Sequence, residues 1–201
     1  MRNKIILLSQ RVSVIESYNE RRDCLDQSWY DYINACGYIP VPVFNRASIV
    51  KELIDLLNPS GIILTGGNDL QMYGGNAPER DNTEKALLYY AVNKNIPVLG
   101  VCRGMQFINC YFGGTLKTVD GHVATKHTTV YNNEKTVVNS FHNYAVDYIP
   151  SILESIAVSD DGIVEAIKHD SKNIKGIMWH PEREEVIANR DIKILKELIE
   201  G

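Results

Sequence analysis

A cysteine flanked by glycines ends an apolar run, Pro97-Val-Leu-Gly-Val-Cys102-Arg-Gly-Met-Gln106, and a stretch of helical spacing follows it. Gly-x-Cys-x-Gly between a strand and a helix is the nucleophile-elbow pattern with cysteine in place of serine. The nucleophile sits there on strained backbone, and side chains at Gly100 or Gly104 would collide with strand or helix. Such a turn presents the sulfur in a crevice at the positive end of a helix, which favours the thiolate over the few per cent an ordinary thiol offers near neutrality. Without its glycines Cys102 would read as a small buried hydrophobe. That packing role is assigned to Cys24 and Cys36, placed in one helix, and to Cys110, two turns beyond Cys102.

A cysteine nucleophile needs an imidazole that takes and returns a proton, and the imidazole needs an orienting partner. Of five histidines, His180 ends the apolar stretch Gly176-Ile-Met-Trp-His180-Pro-Glu182. In extended backbone, residues two apart point to the same side about 6.5 Å apart, so the Glu182 carboxylate can fold back onto His180. Taken singly, the pair reads as a satisfied strand-end histidine and a solvated carboxylate. His-x-Glu also opens a zinc-deaminase signature, but no Pro-Cys-x-x-Cys follows, and neither His-Glu-x-x-His nor Cys-x-x-Cys exists, so no metal is expected. The third element, Leu64-Thr65-Gly66-Gly67-Asn68-Asp69, also ends an apolar run. Its glycines let backbone N–H groups approach a ligand, and with the N–H of Arg103 they can form an oxyanion hole. One donor there is worth about 3 kcal/mol of barrier. Alone, the segment is an ordinary turn.

The elements that must carry these residues alternate. Strands are expected at Lys4–Leu8, Ile39–Val43, Gly61–Thr65 and Pro97–Val101. Helices between them carry Leu25, Trp29, Ile33 and Cys36, then Ile49, Leu53, Leu56 and Leu57. A third starts at a capping-box-like Asp81-x-x-Glu84, and a fourth follows Cys102. This is the pattern of an α/β, doubly wound, mostly parallel sheet with helices on both faces. After Gly113-Gly114, turn signals at Asn132-Asn133, Pro150 and Asp161-Gly162 suggest antiparallel strands added to the same sheet, before a final helix near Asp191–Ile199.

The 201 residues are expected to form a single domain, 1–201, burying about 70% of the unfolded chain's surface without disulfides. Hydrophobic residues at 44% and charged residues at 23% exclude a disordered chain. The net charge of -4 argues against a nucleic-acid partner, and no apolar run approaches the roughly 20 residues of a membrane span. Only four apolar residues follow Met1-Arg2-Asn3-Lys4, too few for a signal peptide, so a cytoplasmic chain with reduced thiols is the expectation.

Taken together, the motifs resemble class I glutamine amidotransferase domains, and within them the stand-alone γ-glutamyl hydrolases of the γ-glutamyl-γ-aminobutyrate hydrolase type. The resemblance runs through Tyr18–Gln27, Leu64–Asp69, Arg80-Asp81, Gly100–Gln106, Asn139–His142 and Trp179–Glu182. It implies the flavodoxin-like amidotransferase fold, with Cys102 as nucleophile, His180 as general base and acid, and Glu182 as its partner. Gly66, Gly67 and Arg103 would line the oxyanion hole. Gln106, Ser140, Phe141 and His142 would hold the glutamyl α-amino and α-carboxylate groups. The implied reaction forms a γ-glutamyl thioester, expels an amine or amidate, and hydrolyses to glutamate without a cofactor. The specific expectation is a γ-glutamyl cytidine-diphosphate amidate of capsule phosphoramidate synthesis. The sequence reads His142-Asn143 where many members carry two histidines, and the chain is shorter than typical hydrolases of this type, which implies a more open site and a larger leaving group. The expected partner is a small-molecule γ-glutamyl substrate, with homodimer formation left open. Two other readings stand beside this one: a glutaminase that supplies ammonia to a partner synthetase, and a non-catalytic binding module on the same fold.

Overall fold

A computed structural model describes residues 3–132 and 134–201, so Met1, Arg2 and Asn133 lie outside the described residues. The parallel half consists of β1 (Asn3–Leu8), β4 (Ile39–Pro42), β5 (Pro59–Leu64), β6 (Val98–Val101) and β13 (Ile174–Ile177). Its helices are α1 (Ser28–Ala35), α2 (Val50–Leu57), α3 (Pro78–Lys94), α4 (Arg103–Tyr111) and α5 (Asn189–Glu200). A hairpin of β2 (Arg11–Ile15) and β3 (Glu20–Cys24) precedes α1. The later strands are β7 (Thr115–Thr118), β8 (Val123–Tyr131), β9 (Glu134–Phe141), β10 (Tyr144–Tyr148), β11 (Leu153–Ser159) and β12 (Val164–His169).

Among the described residues the main sheet has nine strands in the order β4-β1-β5-β6-β13-β12-β11-β8-β9. The first five are mutually parallel, and from β12 onward each strand pairs antiparallel to its neighbour. Both faces of the parallel half are covered, which is why its strands read as near-continuous apolar runs. Along β5, Ile62 and Leu64 pack toward α2, α3 and α4, whereas Ile63 packs with Trp29, Ile33, Ile194 and Leu198 of α1 and α5. β1 alternates likewise, with Leu7 on the first side and Ile6 and Leu8 on the second. Among the described residues no helix is long and apolar enough to cross a membrane.

Several elements differ from the sequence reading. Cys24 and Leu25 are not helical: Cys24 ends β3, and α1 begins at Ser28, whose N–H and hydroxyl donate to the Asp26 carboxylate at 3.0 and 2.8 Å. The β2–β3 hairpin has no counterpart in that reading because β2 is only five residues long with Val12 as its one buried position, and β3, Glu-Arg-Arg-Asp-Cys, is mostly charged and has no buried residue. α3 starts three residues before Asp81, with Pro78 in its first turn, and Asp81 and Glu84 do not form a capping box. Asp81 instead accepts from the Gln71 N–H and pairs with Arg103, while Glu84 is fully buried between Arg80 and Arg103. Finally, β7 and β10 make a separate two-stranded sheet rather than extending the main one.

Candidate active site

Three adjacent parallel strands, β5, β6 and β13, deliver the three motifs to one crevice at their carboxyl ends. Cys102 directly follows β6 with φ 52° and ψ -106°, a conformation that L residues rarely adopt. Its N–H is held by the Ile177 carbonyl at 2.7 Å. The flanking glycines are required by close approach: a Cβ on Gly100 would lie 2.6 Å from the backbone of Gly104, and one on Gly104 would overlap the Leu64 carbonyl of β5. The chain turns straight into α4, so the N–H of Arg103 lies in the first turn, with no carbonyl one turn earlier to satisfy it.

His180 lies beyond β13, which ends at Ile177 rather than running on to the histidine. Pro181–Arg183 then close into a short 3₁₀ turn, so the His-x-Glu segment is tighter than an extended strand, yet Glu182 Oε1 lies 2.7 Å from His180 Nδ1. Both residues are buried. Asn139 on β9 fixes the backbone of His180 on both sides, accepting its N–H at 2.8 Å and donating to its carbonyl at 2.8 Å. Behind it, the Trp179 indole N–H donates to Asp191 of α5 at 2.9 Å.

With Nδ1 engaged by Glu182, Nε2 is the nitrogen left for Cys102. Burial opposes a charged ring here, but the charge and hydrogen bonding of Cys102, followed by Glu182, outweigh it and raise the His180 pKa from 6.5 to about 9. Because the folded pKa is the higher one, the stabilisation from His180 is complete below about pH 6.5 and is lost as pH rises toward about 9. We expect the unfolding midpoint in denaturant to fall across that window. A His180→Gln variant should lack the slope, and an identical slope in the variant would refute this assignment.

The Gly66-Gly67 loop is set from behind by Arg80, a fully buried residue of α3. Its guanidinium donates to the carbonyls of Thr65 at 2.6 Å and Gly66 at 3.0 Å, and to that of Gly67. A trans peptide points its N–H opposite to its C=O, so fixing the Gly66 carbonyl on Arg80 turns the Gly67 N–H away from it. Gly66 passes so close to His180 that an added Cβ would lie 2.7 Å from Cε1. Burial lowers the Arg80 pKa to about 10, opposed by Glu84, and the group remains cationic at neutral pH. Arg103 contributes its backbone at the elbow while its side chain joins Asp81 and Glu84, so one buried ion network carries both the glycine loop and the start of α4.

The residues expected to hold the glutamyl group divide. The Gln106 amide donates to the Tyr144 carbonyl at 2.9 Å. The Ser140 hydroxyl donates to the His122 carbonyl at 2.7 Å, and the His142 ring turns into a buried cluster with His122 and Glu165. Any contact of Ser140 or His142 with a substrate is thus through the backbone. Phe141 alone of the three reaches solvent, its ring edge-on to His180 at 5.6 Å between centroids and 4.6 Å below the Arg183 guanidinium. Sequence reasoning assigned no site role to Arg80, Asn139, Arg183 or Arg11, whose side chain lies over Gly67. For the first two, the available signal was a polar residue inside an otherwise regular helix or strand.

The peptidase C26 family model matches residues 5–129 and 117–182. The gamma-glutamyl-CDP-amidate hydrolase of Campylobacter jejuni is 37% identical over 197 residues, covering 94% of each chain. A putative glutamine amidotransferase-like protein of Lactococcus lactis is 32% identical over 190 residues, covering 78% of this chain and 79% of its own. A glutamine-hydrolyzing GMP synthase subunit of Methanosphaera stadtmanae is 34% identical over 140 residues, covering 65% of this chain and 69% of its own. A crystal structure of a putative GMP synthase subunit from Thermoplasma acidophilum superimposes with a TM-score of 0.71 at 21% identity, over 98% of this chain and 92% of that one, and so shares the class I glutamine amidotransferase fold. An elbow cysteine, a histidine–carboxylate pair and a backbone donor loop on that fold agree with the family match: this chain belongs to the peptidase C26 family.

Proposed function

We propose that this chain is a cysteine-dependent γ-glutamyl hydrolase whose substrate is a γ-glutamyl cytidine-diphosphate amidate. The observation that carries the reading is the convergence of the Cys102 elbow, the His180–Glu182 pair and the Arg80-braced glycine loop at the ends of three adjacent strands. The Cys102 thiolate attacks the γ-carbonyl, and the N–H groups of Gly67 and Arg103 receive the oxyanion. His180 donates its proton to the departing nitrogen as the C–N bond breaks, leaving a γ-glutamyl thioester. The neutral ring then takes a proton from water, which attacks the thioester, releases glutamate and restores the ion pair.

The choice of amidate rests on the extent of similarity to the Campylobacter hydrolase and on the rim of the site. A cleft of about 600 Å³ is lined by Lys126, Asn139, Phe141, Arg183, Glu184 and Glu185, with Lys126 3.7 Å from Glu184. Phe141 offers an aromatic face for a base and Arg183 a guanidinium for a phosphate, beside the two carboxylates of the same rim. In the test, glutamate release and the phosphorus spectrum of the product are followed with γ-glutamyl cytidine-diphosphate amidate, γ-glutamyl-γ-aminobutyrate and free glutamine. Hydrolysis of the amidate at the highest kcat/KM is expected. Turnover confined to the other two, or absent altogether, would reject the reading. The similarity to the Methanosphaera GMP synthase subunit supports a second reading, a glutaminase that feeds a synthetase. It predicts a preference for free glutamine and a rise in rate when a synthetase is added.

A further inference from the structure

Four side chains, from the residue before β8, β8 itself, the residue after β9, and β12, converge on one buried point. Glu165 of β12 is fully buried, and among the described residues no well-aligned hydrogen bond reaches either of its oxygens. Its Oε1 lies 3.1 Å from His127 Nε2, 3.6 Å from His142 Nε2 and 3.8 Å from His122 Nδ1. His122 Nδ1 and His142 Nε2 are 3.3 Å apart.

The outer faces of the rings decide where their protons sit. His122 Nε2 is 2.8 Å from the Asp161 carboxylate, and His142 Nδ1 is 3.0 Å from the Tyr144 carbonyl. Both partners only accept, so both of these nitrogens carry hydrogen. In the neutral rings the inner nitrogens are then lone pairs, aimed at each other and at a carboxylate. His127 Nε2 can donate to the carboxylate at 3.1 Å, but the lone pairs of His122 and His142 still converge on it with no donor of their own, and a cation between them would satisfy all of these acceptors. An imidazole that binds a metal through one nitrogen while the other donates to a carboxylate or a backbone carbonyl is the usual outer-sphere arrangement.

We propose that His122, His127 and Glu165, with His142 beside them, form a site for a zinc-class divalent cation. A tetrahedral ion with bonds of about 2.0–2.1 Å holds its ligand atoms about 3.3 Å apart; Glu165 Oε1 lies 3.1 and 3.8 Å from the nitrogens of His127 and His122, and the ligand atoms of all three residues lie within 4.8 Å of one another. Imidazoles with one carboxylate suit zinc better than the oxygen-seeking calcium or magnesium. These side chains and His142 are 0–17% exposed, so the ion is shut away from substrate and its role is structural. It would tie β12 to the start of β8 and the end of β9. Ser140 and the His142 N–H already bond the His122 carbonyl there, so the ion would stiffen the segment that borders the catalytic histidine. The expectation of no metal rested on contiguous motifs, and a ligand set drawn from positions 122, 127, 142 and 165 has none.

The test uses Cys102→Ala protein, because the catalytic thiolate and imidazole are themselves zinc ligands in waiting, and because binding by this variant does not depend on the activity proposed above. After chelator treatment and its removal, the protein is titrated with Zn²⁺ and with Co²⁺. Uptake of about one ion per chain is expected, with the visible bands of tetrahedral cobalt and without a thiolate charge-transfer band. His127→Gln, at the most exposed corner of the cluster, should weaken binding at least about 100-fold, and Glu165→Gln should do the same. If Glu165→Gln does not fold, His127→Gln decides. No uptake by the Cys102→Ala protein, or affinity unchanged in His127→Gln, overturns the proposal. Uptake by the unsubstituted protein alone also overturns it, since the ion would then belong to Cys102 and His180.

Discussion

Replacing Cys102 with alanine is expected to lower glutamate release from a γ-glutamyl amide by on the order of 10⁴-fold or more, with folding retained. The residue carries the bond-forming atom, and neither His180 nor the oxyanion loop can supply another. Its side chain is small and sits at the crevice, so deletion leaves no large cavity. The remaining cysteines cannot substitute. Burial pushes the Cys36 thiol up to about 12 and the Cys110 thiol up to about 11, so both are protonated at neutral pH. Cys24 lies on the hairpin with its sulfur 3.7 Å from the Arg11 carbonyl. Brief treatment of the unsubstituted protein with iodoacetamide at neutral pH should therefore modify Cys102 first and abolish activity in proportion. Mass spectrometry of intact protein during turnover should show a γ-glutamyl adduct that the alanine variant lacks. Residual activity within tenfold of the parent would remove Cys102 from the mechanism.

Arg80→Lys is expected to lower kcat by about 10²–10³-fold while KM changes little, the loss typical of one oxyanion donor. Lysine keeps a positive charge beside Glu84 but replaces a planar fork of five donors with a single ammonium. It cannot at once reach the carbonyls of Thr65, Gly66 and Gly67, which Arg80 binds together. A freed Gly66 carbonyl lets the peptide rotate, and the Gly67 N–H then leaves the position where the oxyanion forms. Stability should fall as well, by about 3 kcal/mol, because buried acceptors lose their partners. The two effects separate experimentally. A purely structural role predicts a lower unfolding midpoint with normal kcat per folded molecule, whereas a positioning role predicts depressed kcat well below that midpoint and an unchanged pH profile.

Much of the site was legible locally. At Gly100 and Gly104 residue type answers to a steric need a few residues away, because a Cβ on Gly100 would lie 2.6 Å from the backbone of Gly104, whereas the close approaches of Gly104 to Leu64 and of Gly66 to His180 join stretches distant in the chain. His180 and Glu182 stand two apart, so their contact survives a change from extended backbone to a 3₁₀ turn. The four core strands were legible because burial on both faces demands continuous apolar runs. The β2–β3 hairpin was not, since β2 is short with a single buried residue and the mostly charged β3 buries none, which leaves little periodicity. Asp81 and Glu84 illustrate the same limit: a spacing that suits a capping box is occupied by the carboxylates of a buried ion network.

By itself the sequence singled out the proposed nucleophile Cys102, the His180–Glu182 pair and the glycine loop, because each is a short-range arrangement of a few residues. Only the tertiary structure decided that these stretches meet. β13 returns beside β6 after the excursion through β7–β12, and that pairing brings His180 to Cys102. It also decided which polar residues are buried. Arg80 beneath the glycine loop, Asn139 across His180, and Glu165 among three imidazoles are single polar residues in ordinary strands and helices, whose partners in these sites lie on other elements of the fold. A polar side chain's environment is set by what packs over it, and that is fixed by strand order and layer packing rather than by its neighbours in the chain.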